Sequence, residues 1–220
     1  MKIQEKGINY WIENNEAMIL GFDVQSKVLL IPELINNVPI TKISKYAFSH
    51  MDLIEAYLPN SIYDIGQGAF SDCHELKVVS FYNTSNNTNN KLRIRNQVFW
   101  NCSSLEKIYA PFMYVHIDSY GLAHCESLVE INALITALKG ISLVGCDSLV
   151  YLIFANNATI EDVSIYDLRF LKQLSFKGDA EIHPLVLQKI QEKGITIVCN
   201  SNSSLTDLTY LGFSVNMYDV

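Results

Sequence analysis

Apolar residues recur along this chain with a long period, well beyond the spacing of an isolated helix or strand. Leucine marks one position of the repeat, and successive marker leucines are separated by 23, 29, 23, 21 and 22 residues. The markers are Leu53, Leu76, Leu105, Leu128, Leu149 and Leu171. We interpret the long step as a coil that carries an insertion, the polar segment 83–90. The pattern predicts an array of about six coils of 21–23 residues over residues 40–180.

Further apolar positions keep a constant distance from each marker leucine. Two of them follow it by three and five residues, so both lie on the same side of a strand. They are Ala56, Val79, Ile108, Ile131, Leu152 and Leu174 at the first position, and Leu58, Phe81, Ala110, Ala133, Phe154 and Phe176 at the second. Others precede the leucine, among them Phe48, Phe70, Phe99, Leu122, Leu143 and Ile165. Because one coil cannot bury these side chains alone, we predict an α/β repeat solenoid whose stacked coils form a parallel β-sheet.

Four of the five cysteines occupy one position of the repeat, three residues before a marker leucine. They are Cys73, Cys102, Cys125 and Cys146. Neighbouring coils lie about 4.8 Å apart in such stacks, a spacing that admits a disulfide. We expect instead a column of buried thiols, since free cysteine is among the most buried residue types. Redox or metal chemistry is the alternative, although the chain has no CxxC pair and no zinc-site spacing.

One coil carries the repeat in a form that resembles a known family. Residues 62–81 read IYDIGQGAFSDCHELKVVSF, which resembles the I-x-x-I-G-x-x-A-F-x-x-C-x-x-L-x-x-V-x-F pattern of BspA-like leucine-rich repeats. The resemblance covers about residues 8–180, and the Ala-Phe pair of the motif is lost from Leu122 onward. It implies parallel β ladders, a binding surface and no catalytic residues, in a family that includes surface adhesins and host-interacting proteins.

The two ends of the chain are expected to cap the array. Residues 10–48 resemble the usual opening of the family, which implies a β-hairpin. After the last coil, Pro184 suits the first turn of a helix and Gly194 suits its end, and residues 195–199 form a predicted strand. This helix and strand would protect the open β edge. We therefore assign residues 1–39 to an N-terminal cap, 40–180 to leucine-rich repeats, and 181–220 to a C-terminal cap and tail.

The residues that alternate with the buried strand positions face outward and include several tyrosines. We predict a partner-binding face formed by Tyr57, Tyr82, Tyr109, Tyr151, Ile153, Lys107 and Glu130. Tyrosine buries a large area at low side-chain entropy cost, which makes it a good anchor for a protein partner. The alternative interpretation is that β-sheets favour tyrosine and isoleucine in any case.

A second outward strip carries charge. It contains Arg93 and Arg95, followed in the next coil by His116 and Asp118, with Lys91 and Lys107 not far in sequence. Such a basic spot suits an acidic partner or a phosphate. The alternative is a solvated face, because polar residues must cover the outside of the strand.

Composition and charge narrow the classes of function. The net charge of −7 and pI of about 5.2 argue against general affinity for nucleic acid, and no apolar run is long enough to span a bilayer. The N-terminus lacks the pattern of a secretory signal, so we expect a cytoplasmic protein or export by a non-classical or effector route.

Motifs that carry catalytic chemistry are absent from the sequence. It contains no GxSxG, no glycine-rich phosphate loop and no HExxH, and we expect no cofactor and no metal. We predict a monomeric, non-catalytic module that binds a protein ligand through the concave face of the solenoid, in host-cell interaction or adhesion. The alternative is a carbohydrate-active parallel β-helix enzyme, since such enzymes repeat with a similar period.

Overall fold

A computed structural model describes residues 2–5, 7–23, 26–83, 90–166 and 168–219. They form a parallel β-solenoid of about seven turns with few helices, which confirms the predicted repeat solenoid. Most of the predicted insertion 83–90 lies outside the described residues, which exclude 84–89.

Seventeen strands and few helices make up the described part of the chain. The strands are β1 (Lys2–Glu5), β2 (Ile8–Glu13), β3 (Glu16–Phe22), β4 (Val28–Leu30), β5 (Leu34–Ile35), β6 (Val38–Ile43), β7 (Glu55–Pro59), β8 (Asp64–Ile65), β9 (Val78–Tyr82), β10 (Lys91–Ile94), β11 (Lys107–Ile117), β12 (Glu130–Leu138), β13 (Tyr151–Ile160), β14 (Gln173–Phe176), β15 (Ala180–Ile182), β16 (Thr196–Asn200) and β17 (Val215–Tyr218). The α-helix is α1 (Pro184–Lys193), and short 3₁₀ helices cover Val163–Tyr166 and Ser204–Leu211.

Parallel pairing between coils produces two ladders. The main sheet runs through β4, β7, β9, β11, β12, β13, β14, β16 and β17. The second sheet runs through β3, β6, β8, β10, β11, β12, β13 and β15. Strands β11, β12 and β13 belong to both sheets, because each continues through the corner between them. Side chains on the outside of each sheet therefore form columns that run across successive coils.

The core lies between the two sheets and follows the predicted repeat. All six marker leucines are buried, and so is every residue three or five positions after them. Phenylalanines stack across coils, with ring centroids 4.9 Å apart for Phe48 and Phe70 and 5.3 Å apart for Phe70 and Phe99. Phe154 and Phe176 repeat the arrangement at 5.0 Å on the other side of the core. Stacked aromatic rings thus link neighbouring coils at both places.

Consecutive β-turns, rather than helices, connect the second sheet to the main sheet in the coils that carry the Ala-Phe motif. Along this segment, amides at alternating positions donate hydrogen bonds either within their own coil or to the next coil. The Ser71 amide donates to Gly68 within the coil at 3.0 Å, whereas the Phe70 amide donates to Val98 of the next coil at 2.9 Å. In an α-helix these amides would donate to carbonyls of the same segment. Hydrogen bonds from one coil to the next therefore favour turns over a helix here. A left-handed φ of 58–77° recurs in five successive coils, at His50, Asp72, Asn101, His124 and Gly145.

The cysteine column consists of free, buried thiols, as predicted. The thiols of Cys73, Cys102, Cys125 and Cys146 donate to the carbonyl oxygens of Phe48, Phe70, Phe99 and Leu122 at 3.0–3.1 Å. Each thiol thereby joins its own coil to the preceding one. Burial raises the pKa of Cys73 to about 12 and raises the pKa values of Cys102 and Cys125 well above 9.0, so these thiols stay protonated at neutral pH.

We expect the folded protein to resist thiol alkylation. The thiolate is the reactive species, and burial both suppresses it and blocks access. Mass spectrometry after treatment with iodoacetamide should show no modification of Cys73, Cys102 or Cys125 under native conditions, and modification of all five cysteines in denaturant. Rapid native labelling of the column would contradict its assignment to the core.

A β-hairpin lies near the start of the structure, and an α-helix lies near its end. Strands β2 and β3 pair antiparallel around Asn14 and Asn15, whose φ values of 51° and 60° suit a tight two-residue turn. Helix α1 starts after His183, ends at Gly194 with a left-handed φ of 64°, and leads into β16. The predicted strand is therefore present one residue later than expected. It is not the edge of the sheet, because the tail folds and adds β17 beside it.

Candidate functional site

The solvent side of the main sheet brings several of the predicted contact residues together. Lys107 of β11 is in register with Glu130 of β12, and Tyr109 is in register with Asn132. The Lys107 Nζ lies 3.8 Å from a Glu130 carboxylate oxygen. Tyr109 has 48% of its surface exposed, more than the other predicted tyrosines, which are all partly buried. This part of the face offers a charged pair beside an accessible aromatic ring.

Tyr57 and Tyr82 lie on the same sheet in earlier coils, but each hydroxyl is already used within the protein. The Tyr57 hydroxyl donates to the Glu55 carboxylate at 2.8 Å, and this bond raises the tyrosine pKa. The Tyr82 hydroxyl donates to the carbonyl of Ile31 at 2.6 Å. Burial, together with the charge of Glu33, raises the pKa of Tyr82 to about 12. Both hydroxyls therefore already donate a hydrogen bond within the protein.

A groove of about 380 Å³ lies on the main sheet farther along the stack. Tyr151 and Ile153 line it, as do Val150 and Lys172, which the sequence pattern did not single out. Val150 directly follows one marker leucine, and Lys172 directly follows the next. The repeat position one residue after the marker leucine would therefore have identified both. Burial and the nearby Glu130 carboxylate raise the pKa of Tyr151. The groove therefore adjoins the Lys107–Glu130 pair.

The second outward strip, which contains Arg93 and Arg95, has a smaller net positive charge than the sequence predicts. Carboxylates from other coils bind both arginines. Arg93 forms two bonds to Asp118, at 2.9 and 3.2 Å, and His116 lies 3.1 Å from the same carboxylate. Arg95 forms two bonds to Asp64, at 2.6 and 2.8 Å, which raise the arginine pKa. Lys107 belongs to the main-sheet part of β11 and is separate from this strip.

The described residues contain neither a metal-binding cluster nor a membrane-spanning helix. No three His, Cys, Asp or Glu residues there are grouped so as to hold a metal ion. No helix in the described ranges is long and apolar enough to cross a membrane.

Comparison of the sequence with family models identifies the repeat. The model of the BspA type leucine rich repeat region matches residues 41–172 and 92–210, in six copies. The chain belongs to the BspA-type leucine-rich repeat family. The match includes α1 and β16, so the family's repeat pattern reaches beyond residue 180.

Solved structures show the same fold. The T. pallidum leucine rich repeat protein has a TM-score of 0.65 and 17% identity, with 100% of both chains covered. A leucine rich cell surface protein from Faecalibacterium prausnitzii has a TM-score of 0.56 and 21% identity. That match covers 80% of this chain and 45% of the other, so this chain spans under half of its length. A search among curated proteins found no significant match.

Proposed function

We propose that this BspA-type chain is a non-catalytic module that binds a partner protein through the solvent side of its main sheet, the concave face of the solenoid. The contact residues are Tyr57, Tyr82, Tyr109, Tyr151, Ile153, Lys107 and Glu130. The observation that carries the proposal is the accessible Tyr109 ring beside the Lys107–Glu130 pair and next to the Tyr151–Ile153 groove.

The main sheet holds these side chains in place before any partner arrives. Backbone hydrogen bonds between coils fix the columns, and the stacked Phe154 and Phe176 support the later strands of this sheet from the core. Binding then costs little side-chain entropy at the tyrosines, and the apolar groove offers area to bury. The Lys107–Glu130 pair would set orientation rather than affinity, because exposed ion pairs contribute little.

The biological setting that we propose is adhesion or contact with a host cell. The F. prausnitzii relative is described as a cell surface protein, which is consistent with this setting. The repeat family favours a binding module over the alternative of a carbohydrate-active enzyme. Release of shortened products from pectin or related glycans by the purified protein would contradict the non-catalytic part of the proposal.

The binding face is tested with a double variant, Tyr109→Ala and Tyr151→Ala. A binding partner would first be identified by affinity capture from host-cell extract with mass spectrometry, and then purified. Its affinity for the double variant should be weaker by at least about tenfold, because buried tyrosines at interface centres are frequent hot spots. Surface plasmon resonance measures the change.

The matched control removes two exposed tyrosines elsewhere, Tyr46 and Tyr210, which are 52% and 90% exposed. Tyr46 has a left-handed φ of 56°, so it is replaced by asparagine, and Tyr210 is replaced by alanine. This control should bind as well as the unmodified chain. Equal affinities of both double variants would exclude the main-sheet face as the binding site.

A further inference from the structure

The charge on the solvent side of the main sheet changes along the stack. Strands β13, β14, β16 and β17 contain no Asp or Glu residue. The groove of about 380 Å³ lies on β13 and β14, and no Asp or Glu lines it. Lys172 and Lys177 directly precede and directly follow β14. This end of the face is therefore positively charged, in a chain whose net charge is −7.

Both lysines are exposed, and neither belongs to an ion pair of the described residues. Lys172 lines the groove. The Nζ atom of Lys177 lies over the Tyr218 ring, 5.7 Å from its centroid. The Tyr218 hydroxyl donates to the carbonyl of Phe176 at 2.9 Å, which holds the ring in place. An aromatic ring attracts a cation without cancelling its charge, so both lysines can still pair with a carboxylate.

A carboxylate lies on the opposite side of the groove. Burial and the Glu130 carboxylate raise the pKa of Tyr151, and Glu130 has its own cation, Lys107, at 3.8 Å. A carboxylate of a ligand would be repelled by Glu130 and attracted by the lysines that flank β14. The acidic groups of a ligand should therefore lie over β14 rather than over β12.

Apolar side chains lie between these two charged borders. Val150, which is 37% exposed, lines the groove together with Tyr151 and Ile153. An apolar side chain of a ligand would cover this lining with a favourable loss of exposed apolar surface. A peptide supplies such a side chain, whereas the rings of a carbohydrate carry hydroxyl groups. The lining therefore favours a peptide over a carbohydrate.

The spacing of the lysines indicates the form of the peptide. Lys172 and Lys177 are five residues apart at the two ends of a strand, a span of about 16 Å. Two acidic residues four positions apart in an extended segment lie on the same side, about 13 Å apart. The flexible lysine side chains cover the difference. The residue midway between the two acidic residues points the same way and can pack on Val150 and Ile153.

A larger groove, of about 850 Å³, lies on the second sheet. Its lining includes Tyr114, Lys91, Arg93, His116 and Lys139. Arg93 and His116 share the Asp118 carboxylate, and Lys91 also interacts within the protein. Most of the positive charge in this lining is therefore already compensated, in contrast to that of the main-sheet groove.

We propose that the groove on β13 and β14 binds an extended acidic segment of the partner protein. Two carboxylates of the segment, four residues apart, pair with Lys172 and Lys177. The apolar side chain between them packs on Val150 and Ile153. This inference rests on the proposed function, because it names the chemistry of the segment that the same face recognises.

Fluorescence anisotropy with the full chain tests the proposal. The probe is a labelled peptide with blocked ends, Ser-Asp-Thr-Leu-Thr-Asp-Ser, and the matched control peptide has Asn in place of both Asp residues. We expect the Asp peptide to bind about tenfold more tightly than the Asn peptide, and its binding to weaken as salt is raised. Trigalacturonate, which has carboxylates but no apolar side chain, should bind more weakly than the Asp peptide.

Two double variants locate the site. Lys172→Ala with Lys177→Ala should bind the Asp peptide about tenfold more weakly and leave binding of the Asn peptide unchanged. Loss of the preference alone distinguishes lost ion pairs from a general disturbance of the groove. The control, Lys45→Ala with Lys77→Ala, makes the same charge change at exposed lysines that do not line the groove, and should keep the preference. Circular dichroism of each variant confirms that the solenoid is folded.

Three results would overturn the proposal. They are the absence of any preference for the Asp peptide, equal losses in the two lysine double variants, and tighter binding of trigalacturonate than of the Asp peptide. The last result would assign the lysines to an acidic carbohydrate.

The purified partner protein separates this inference from the proposed function. If the variant of Tyr109 and Tyr151 weakens partner binding and the variant of Lys172 and Lys177 does not, the main-sheet face remains the binding site and the acidic segment is excluded. If both variants weaken it, both proposals are supported. If neither variant does, both proposals fail.

Discussion

Replacement of Phe70 by alanine should lower the free energy of unfolding by about 3–5 kcal/mol, the usual cost of emptying a phenylalanine site in a core. Phe70 is fully buried and stacks on Phe48 on one side and Phe99 on the other. The cavity would therefore weaken two coil interfaces at once. In a solenoid each coil contacts only its neighbours, so an interior coil carries the connection between the parts on either side. Urea denaturation measures the loss.

The two tryptophans allow the position of the defect to be followed. Trp11 lies on β2, before Phe70, and Trp100 lies in the coil after it, edge-on to His124 at 6.4 Å. Fluorescence of the variant should lose the Trp11 signal at a lower urea concentration than the signal of the later coils. The control is Phe112→Ala, at a residue 63% exposed, which should change stability by less than about 0.5 kcal/mol. Equal effects of the two substitutions would contradict the stacked core.

Stability should also fall steeply with alkaline pH because of the cysteine column. Burial raises the pKa of Cys73 to about 12, and those of Cys102 and Cys125 well above their ordinary value of 9.0. The unfolded chain loses these protons near the ordinary value, whereas the folded chain keeps them. Stability is therefore complete below about pH 9 and is lost as the pH rises towards the folded values. Between about pH 9 and pH 10 each thiol should cost about 1 kcal/mol, or about 3 kcal/mol for the three.

The pH dependence is measured by urea denaturation at closely spaced pH values. Between about pH 9 and pH 10 the tyrosines with raised pKa values add a smaller loss of their own, because the unfolded chain begins to ionise them as the pH approaches 10.0. The variant Cys73→Ala should reduce the loss between about pH 9 and pH 10 by about 1 kcal/mol, because that thiol no longer titrates. The Phe48 carbonyl retains the Met51 amide as a donor, at 3.3 Å, so it is not left unpaired. An unchanged slope would show that other groups cause the alkaline loss.

Much of the fold is predictable from the sequence because the same set of apolar positions recurs from coil to coil. Six leucines at one offset, with apolar residues three and five positions later, admit few arrangements other than stacked coils, and all these side chains are buried. The thiol column follows from the same register. The segment around Ala69 and Phe70 is different, since its composition does not reveal whether its amides bond within the coil or between coils. The stacked neighbour decides this point and favours turns.

The candidate sites were less predictable, because they depend on which residues of distant coils become neighbours. Tyr109, Lys107 and Glu130 could be placed on one face by alternation alone. Tyr114 and Lys139 could not, since β11 continues as one strand from the main sheet to the second sheet, and Pro111 alone does not reveal where the strand changes sheet. The sequence pattern of Arg93 and Arg95 indicates a basic spot. Their ion pairs could not be predicted, because the partners Asp118 and Asp64 lie 25 and 31 residues away in the chain.

The sequence by itself determined the period, the inward residues, the thiol column and the family of this chain. Each of these depends on offsets within one coil, where chain geometry alone decides which side chains share a face. Only the tertiary structure decided the charge of each surface and the existence of the two grooves. Those properties arise from contacts between coils at about 4.8 Å spacing, and the pairing of charges across that distance is set by the stacked register.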